Sequence, residues 1–367
     1  MLQECEPIPV RAPGGSQNDE HALQRSCIVT SPDTTTPTGE ACTSPVAAAY
    51  ATDLGAMYHA TIEDFLDERE ADLAGEVQLV FFSPPFPLNR KKRYAHKDGQ
   101  AYLQWLGDLA PRLAALLKPN GSLVVEIGNA WEPGRPVMSL LPLQALMAIA
   151  ERGEMNICQQ FVCHNPARLP SPAQWVTIER IRVKDSYTHV WWMSPDEKPL
   201  ANNRHVLRPY SPAMKDLLER QSYNDGKRPS GFDIRPESFL QNNGGAIPPN
   251  ALEVQEQSED EYTENFFKFA NTSSTDGYST YCRDRDLKLH PARMPSGLPE
   301  FFIEFLTVKD DLVLDPFGGS NTTGAIAEKL GRRWIAVEPE GAFIEGSQGR
   351  FPELTHLNDE CRYPGQP

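Results

Sequence analysis

Two apolar runs, each ending in a short loop rich in proline or glycine, constrain this chain more than any other feature. Residues 77–82 (Val-Gln-Leu-Val-Phe-Phe) lead into Ser83-Pro84-Pro85-Phe86, and Leu312-Val313-Leu314 leads into Asp315-Pro316-Phe317-Gly318-Gly319-Ser320. Runs of this length bounded by turn residues read as strands buried on both faces. In open α/β sheets ligands bind beyond the carboxyl ends of the strands, so two such loops can share one cleft although they are distant in sequence.

The rest of the chain fits that architecture. Residues 57–60 read as a short strand and 62–69 as a helix. Tyr102, Leu103, Leu106, Leu109, Leu113, Leu116 and Leu117 recur at helical spacing over 101–118. Pro119-Asn120-Gly121 ends that helix, and 122–127 is the next strand. A helix over 140–151 leads to a strand at 157–164, with 188–193 as its antiparallel neighbour. After a long irregular stretch, a helix at 298–306 precedes the strand at 312–315, a helix spans 322–330 and a strand 334–337. Alternating strands and helices predict an α/β fold: a mixed, mostly parallel sheet wrapped by helices, with one late reversed strand.

This pattern divides the chain into a flexible tail (1–50), a first half of the domain (51–194), an insertion (195–285), a second half (286–350) and a C-terminal tail (351–367). The tail at 1–50 has many Pro, Thr, Ser and Gly residues and no apolar period. The insertion is rich in Gly, Pro and Asn, and long insertions in regular domains are functional or disordered.

Charge is distributed unevenly. The chain has 35 basic and 50 acidic side chains, a balance that by itself argues against binding a phosphate backbone. Acid is concentrated, however: residues 251–265 hold six carboxylates and no base, while 86–97 hold five bases and no acid. Residues 198–236 hold eight bases against four acids. Local distribution decides binding. The seven cysteines are scattered, without a Cys-x-x-Cys pair, which predicts reduced thiols and no metal site. No stretch approaches the roughly 18 apolar residues of a membrane span, and the expectation is a soluble intracellular protein.

Residues 312–338 read as strand, glycine turn, helix, strand and terminal acid, with Glu338 placed 23 positions after Asp315 to take two ribose hydroxyls. A Walker loop needs Lys-Ser/Thr after its last glycine, but Ala325-Ile326 follow Gly324. A nicotinamide site needs G-x-G-x-x-G, which 318–324 do not supply. A glycine turn without ligand stays open beside the favoured reading, S-adenosylmethionine.

The segments 315–324 and 290–299 resemble the cofactor motif, and the segment preceding it, of the β-class DNA amino-methyltransferases whose catalytic half comes first. The resemblance implies a Rossmann-like methyltransferase fold with a target-recognition insertion at 195–285. It also implies cofactor contacts from Asp315, Pro316, Phe317, Gly318, Gly319, Ser320, Asn321, Thr322, Glu338, Pro339, His290, Arg293, Tyr58 and Thr61. His290 would shape the pocket without transferring protons. Asn321 stands where many members have Gly; if the position requires positive φ, Asn is the next most tolerated residue. Near Tyr58 the family often has Gly-Asp, whereas this chain has Ala60-Thr61, leaving Glu63 or Asp64 to supply the acid.

Ser83, Pro84, Pro85 and Phe86 make chemical sense for methylating an exocyclic amine. The prolines fix the backbone and bring no N–H, so the Ser83 hydroxyl and the Pro84 carbonyl can both accept from an NH₂ group. Phe86 would stack on an extruded base. Catalysis would be mainly positioning, with no covalent intermediate and no strong base. A plain Pro-Pro turn with a packing aromatic is the alternative. By resemblance, Ser in the first place is typical of N4-cytosine enzymes and Asp or Asn of N6-adenine ones. A carbon-5 enzyme needs Pro-Cys, and no cysteine here follows proline.

Arg90, Lys91, Lys92 and Arg93 are candidate phosphate contacts. Arg204, Arg208, Lys227, Arg228 and Arg235 are candidates for guanine edges or phosphates, and 183–189 and 202–204 resemble the start of the recognition region. The acidic run 251–265 is expected away from DNA or mobile. The whole implies a bacterial, cytoplasmic, nucleoid-associated N4-cytosine methyltransferase, monomeric or homodimeric, acting on a short site in double-stranded DNA. It leaves room for a cognate restriction endonuclease acting independently. An N6-adenine enzyme of the same fold, or a non-catalytic DNA-binding module with a degenerate cofactor pocket, are the rivals.

Overall fold

The computed structural model describes residues 46–85, 99–222, 240–255, 267–270 and 276–354. Ten strands form one sheet: β1 (Ala48–Ala51), β2 (Gly55–His59), β3 (Val77–Phe82), β4 (Leu117–Gly128), β5 (Asn156–His164), β6 (Tyr187–Ser194), β7 (Ala251–Gln255), β8 (Phe267–Ala270), β9 (Leu312–Asp315) and β10 (Arg333–Glu338). Their order is β1-β2-β10-β9-β3-β4-β6-β5-β7-β8. β1 lies antiparallel to β2, and β6 antiparallel to both β4 and β5; the other neighbours are parallel. The expected late reversed strand is β6, and β1 is a second one that the sequence pattern did not show.

Helices α1 (Ile62–Leu73), α2 (Gly99–Leu116) and α3 (Leu141–Arg152) cover one face. α4 (Pro212–Arg220) and α5 (Gly277–Asp284) follow in the chain, and then α6 (Gly297–Leu306), α7 (Thr322–Lys329) and α8 (Gly341–Ser347). β3 shows why the sheet is central: all six of its residues are buried. Val80 and Phe82 pack into the core beneath α1 and α2, while Leu79 and Phe81 pack into the core beneath α6, as the alternation of a strand requires. β3 is followed by β4 on one side of the sheet, and its other neighbour β9 is followed by β10 on the opposite side. The chain therefore reverses its direction of travel between β3 and β9, which opens a crevice at their carboxyl ends.

Four boundaries differ from the sequence reading. Order starts before residue 51: β1 begins at Ala48, and Val46 packs against the core. Pro119-Asn120-Gly121 does not separate helix from strand; it lies inside β4, where the register against β3 is irregular. The insertion contributes the last two strands of the sheet, β7 and the edge strand β8, and β7 takes the first five residues of the acidic run into the sheet, where Glu253 meets His164 Nδ1 at 2.8 Å and Lys268 Nζ at 3.9 Å. The last boundary is at 351: Phe351 is 1 % exposed and stacks on Trp334 with ring centroids 5.2 Å apart, so it belongs to the core and not to a tail.

Candidate active site

β3 and β9 are paired with Val80 opposite Leu314, so the loops that leave them start side by side. Both line a single cavity of about 950 Å3. Ser83, Pro84 and Pro85 face it from one side, and Asp315, Pro316, Phe317, Gly318, Gly319, Ser320 and Thr322 from the other, joined by Thr61, His290, Arg293, Glu338 and Pro339. Phe86, Arg90, Lys91, Lys92, Arg93, Lys227, Arg228 and Arg235 lie outside the described residues.

The glycine loop is built by its own backbone. Gly318 N donates to Val337 O at 2.8 Å, and Gly319 N donates to Glu338 Oε2 at 2.9 Å; Glu340 N donates to Glu338 Oε1 at 2.9 Å. Gly319 has φ of +52°, and a Cβ there would come within 3.1 Å of His290 Nε2. His290 is held by Nδ1 donating to Ala292 O at 2.9 Å and by its ring standing edge-on to Phe343, 4.5 Å between centroids. The carbonyl can only accept, so Nδ1 carries the proton and Nε2 is left as the acceptor above the glycine.

Two carboxylates sit at the bottom of this lobe. Asp315 Oδ1 accepts from Phe317 N at 3.0 Å and Oδ2 from Thr323 Oγ1 at 2.6 Å. Burial pushes the Asp315 carboxyl from its ordinary 3.8 up to about 6, against those two hydrogen bonds. Glu338 is also raised, again chiefly by burial. Among the described residues neither has an ion-pair partner, so this lobe favours a ligand that carries positive charge and hydroxyl donors.

Two residues expected on the cofactor are elsewhere. Asn321 is fully buried and does not line the cavity; it adopts the left-handed conformation (φ 52°, ψ 45°), and its Oδ1 accepts from Gly324 N at 3.1 Å, capping α7. Its Nδ2 donates to Tyr50 Oη at 3.0 Å. Asn321 therefore holds the loop from behind. Asn321→Ala is expected to destabilise the fold by about 1–2 kcal/mol, from the lost cap and the strained φ; an unchanged denaturant midpoint would refute this role. Tyr58 is also outside the lining, its ring packed edge-on against Phe65 at 5.0 Å. Thr61 caps α1 and bonds Asp64 Oδ2 at 2.7 Å, so Glu63 is the acid that faces the cavity, its Oε1 accepting from Trp105 Nε1 at 2.6 Å.

Arg204 and Arg208 do not reach the cavity. The turn at Asn203–Val206 is docked on α6 through Asn202 N to Phe305 O at 2.8 Å and His205 Nδ1 to Glu304 O at 3.1 Å, which leaves Arg204 exposed at the surface. Arg208 pairs with Ala246 in a β-bridge. Several residues in or behind the cavity wall were not expected there from the sequence. Tyr102 and Trp105 form an aromatic wall with Phe317, 5.6 Å from Trp105. Arg350 ties down Ser320, with Nε to Ser320 O at 2.5 Å and Nη2 to its Oγ at 3.1 Å. Glu126, Cys163, Asn165, Arg168 and Thr188 line the lobe away from the glycines. Cys163 cannot act there as a nucleophile, because burial, aided by the charge of Glu126, pushes its thiol up to about 12.

Comparison with known proteins agrees with this geometry. The curated type II methyltransferase M.PvuII of Proteus hauseri is 40 % identical over 305 residues, 83 % of this chain and 85 % of that protein. M2.MboI of Moraxella bovis is 47 % identical over a shorter stretch of 66 residues, 18 % of this chain and 24 % of that protein. The solved PvuII DNA methyltransferase (cytosine-N4-specific) superposes with a TM-score of 0.64 at 32 % identity, covering 85 % of this chain and 94 % of that one. A family model described as DNA methylase, of the N6/N4 type, matches residues 77–348, a span that begins with the first strand of the crevice and contains both of its loops. On both the arrangement of its loops and these matches, the chain belongs to the N6/N4 DNA methylase family.

Proposed function

We propose that this chain transfers a methyl group from S-adenosylmethionine to the exocyclic N4 amine of a cytosine extruded from duplex DNA, as the modification enzyme of a bacterial type II restriction system. The observation that carries the reading is the meeting of Ser83-Pro84-Pro85 with the Asp315–Ser320 loop in one cavity at the sheet's crevice. The extensive identity to M.PvuII, together with the likeness to the solved cytosine-N4-specific PvuII methyltransferase, supports the N4-cytosine assignment over N6-adenine.

The residues present fit the cofactor. Glu338 uses one lone pair on each oxygen for backbone N–H groups, which leaves one on each for ribose hydroxyls. Gly319 gives the backbone room beneath His290, and the uncompensated Asp315 and Glu338 carboxylates suit a cationic ligand. When bound, S-adenosylmethionine supplies a methyl group activated by its sulfonium. The chain's own part is orientation. Ser83 Oγ and the Pro84 carbonyl accept the two amine hydrogens, which turns the nitrogen lone pair toward the cofactor lobe. Once the nitrogen has gained the methyl group it is positively charged and releases a proton readily, so no strong base is required. Trp105 and Phe317 give the cavity an apolar aromatic wall.

The test is to incubate the protein with unmethylated plasmid and S-adenosylmethionine, digest the DNA to nucleosides and identify methylated species by mass spectrometry. N4-methyldeoxycytidine is the expected product. N6-methyldeoxyadenosine would replace the base in this reading, and absence of any cofactor-induced thermal shift would sink it in favour of a binding module.

A further inference from the structure

The lobe of the cavity away from the glycine loop holds polar groups that the transfer step does not use. Thr188, in β6, is 3 % exposed and lines the cavity, and its Oγ1 meets no oxygen or nitrogen partner among the described residues, only the thiol of Cys163 beside it. A buried hydroxyl without a partner is costly, and such atoms mark places where a ligand completes the site. Thr188 pairs across the sheet with Gly128 of β4 on one side and Cys163 of β5 on the other, and all three face the same space. The thiol of Cys163 is too weak an acceptor to satisfy the hydroxyl.

Arg168 faces this lobe from the turn that follows β5. Its Nη1 donates to Tyr187 O at 3.2 Å, and the Asp185 carboxylate stands 3.9 Å away, so the guanidinium is held in place with further N–H donors to spare. Arg168 N donates to Asn165 O at 3.2 Å, which closes the turn that carries it. The lobe thus contains one hydroxyl matched only by a thiol and one positioned guanidinium.

The two candidate bases differ in what they ask of such a lobe. Along its edge cytosine presents an amine, then the ring N3 acceptor, then the O2 acceptor. Adenine presents an amine, then the ring N1 acceptor, then a C–H. With the amine hydrogens taken by Ser83 and Pro84, cytosine needs two more donors and adenine only one. We propose that Thr188 and Arg168 are the specificity-determining residues for the base, donating to the ring N3 and O2 of the extruded cytosine. This rests on the proposed N4-cytosine activity and adds to it the means by which the pocket tells cytosine from adenine. Against adenine one of the two donors would be left facing a C–H, and sites built to hydrogen-bond a group discriminate against ligands that lack it.

The test uses the full-length enzyme and a duplex carrying its target site, read from the methylated plasmid, with either cytosine or 3-deazacytosine at the target. The wild-type enzyme is expected to lose about tenfold or more in kcat/KM on 3-deazacytosine, the cost of one unmatched buried donor. Thr188→Val keeps the shape of the side chain without its hydroxyl, and Arg168→Gln removes the guanidinium. Each should lower kcat/KM on cytosine by about tenfold or more with unchanged affinity for S-adenosylmethionine. In the variant that has lost the N3 donor, the penalty for 3-deazacytosine should vanish, and Thr188→Ser should restore wild-type behaviour. An equal 3-deazacytosine penalty in the wild type and both variants, or none in the wild type, overturns the assignment while leaving the proposed activity intact. A wild-type enzyme that methylates no cytosine overturns both.

Discussion

Ser83→Ala is expected to lower the single-turnover methylation rate by roughly 10²- to 10³-fold, the scale seen when a positioning or charge-orienting contact is removed from a preorganised site. Cofactor affinity and thermal stability should stay at wild-type levels. Ser83 is exposed, lines the cavity, and has no hydrogen-bond partner among the described residues, so nothing in the fold depends on its hydroxyl. An amine held by the Pro84 carbonyl alone can rotate about that one contact, and the lone pair then spends little time on the line of transfer. The second acceptor converts a loose encounter into a fixed one. Because the contribution of Pro84 comes from its backbone, Ser83 is the side chain through which this arrangement can be tested. A Ser83→Ala enzyme with full turnover would remove Ser83 from the mechanism. A variant that lost cofactor binding as well would show that the loop supports the whole pocket and not the amine alone.

How much of this site could be read in the sequence depended on how local each signal is. β3 and β9 announced themselves because central parallel strands are buried on both faces, so every residue of Val77–Phe82 and of Leu312–Asp315 is buried, and the loop chemistry follows directly in the chain. The same holds for Asn321: a glycine-like position before a helix foretold the positive φ, although the buried side chain proved to cap α7 instead of touching the cavity. Thr188, Glu126 and Arg168 carried no such signal. They meet because β6 inserts between β4 and β5, and that strand order is a long-range fact which no run of residues spells out. The strands at or next to the sheet's edges, β1, β7 and β8, are four or five residues long, too short for a period to stand out from flanking polar sequence. Arg350 ends the last helical turn and Phe351 looks like the start of a tail, yet one anchors Ser320 and the other stacks on Trp334. Packing, not pattern, gives both of them their place.

The glycine loop carries a cost that the cofactor is placed to repay, and Asp315→Asn should expose it with effects of opposite sign. Asp315 is fully buried, and its carboxyl is pushed up from 3.8 to about 6 because burial disfavours the charge. Between those values the folded chain keeps a proton that the unfolded chain has released, so stability falls as pH rises through this window. Above about pH 6 the full penalty stands, about 3 kcal/mol at about 1.4 kcal/mol for each pKa unit. Asparagine has nearly the same shape, can still accept from Phe317 N, and offers an N–H to Thr323, whose hydroxyl can turn to accept it. The ligand-free Asp315→Asn protein should therefore melt higher at pH 7.5, by about 5 °C or more for a domain of this size, while the gain fades toward pH 4. Affinity for S-adenosylmethionine should move the other way. A cation that lowers a neighbouring carboxyl pKa by one to three units binds the ionised form roughly 10- to 10³-fold more tightly, and the variant forfeits that advantage. Wild-type affinity should accordingly rise with pH up to about 6 and then level off. In the variant the slope should be shallower but not flat, because Glu338 is raised in the same direction by the same cause. Calorimetric titrations across pH 5 to 8 would decide the matter: a variant that binds the cofactor as tightly as the wild type would show that the charge on Asp315 serves the loop and not its ligand.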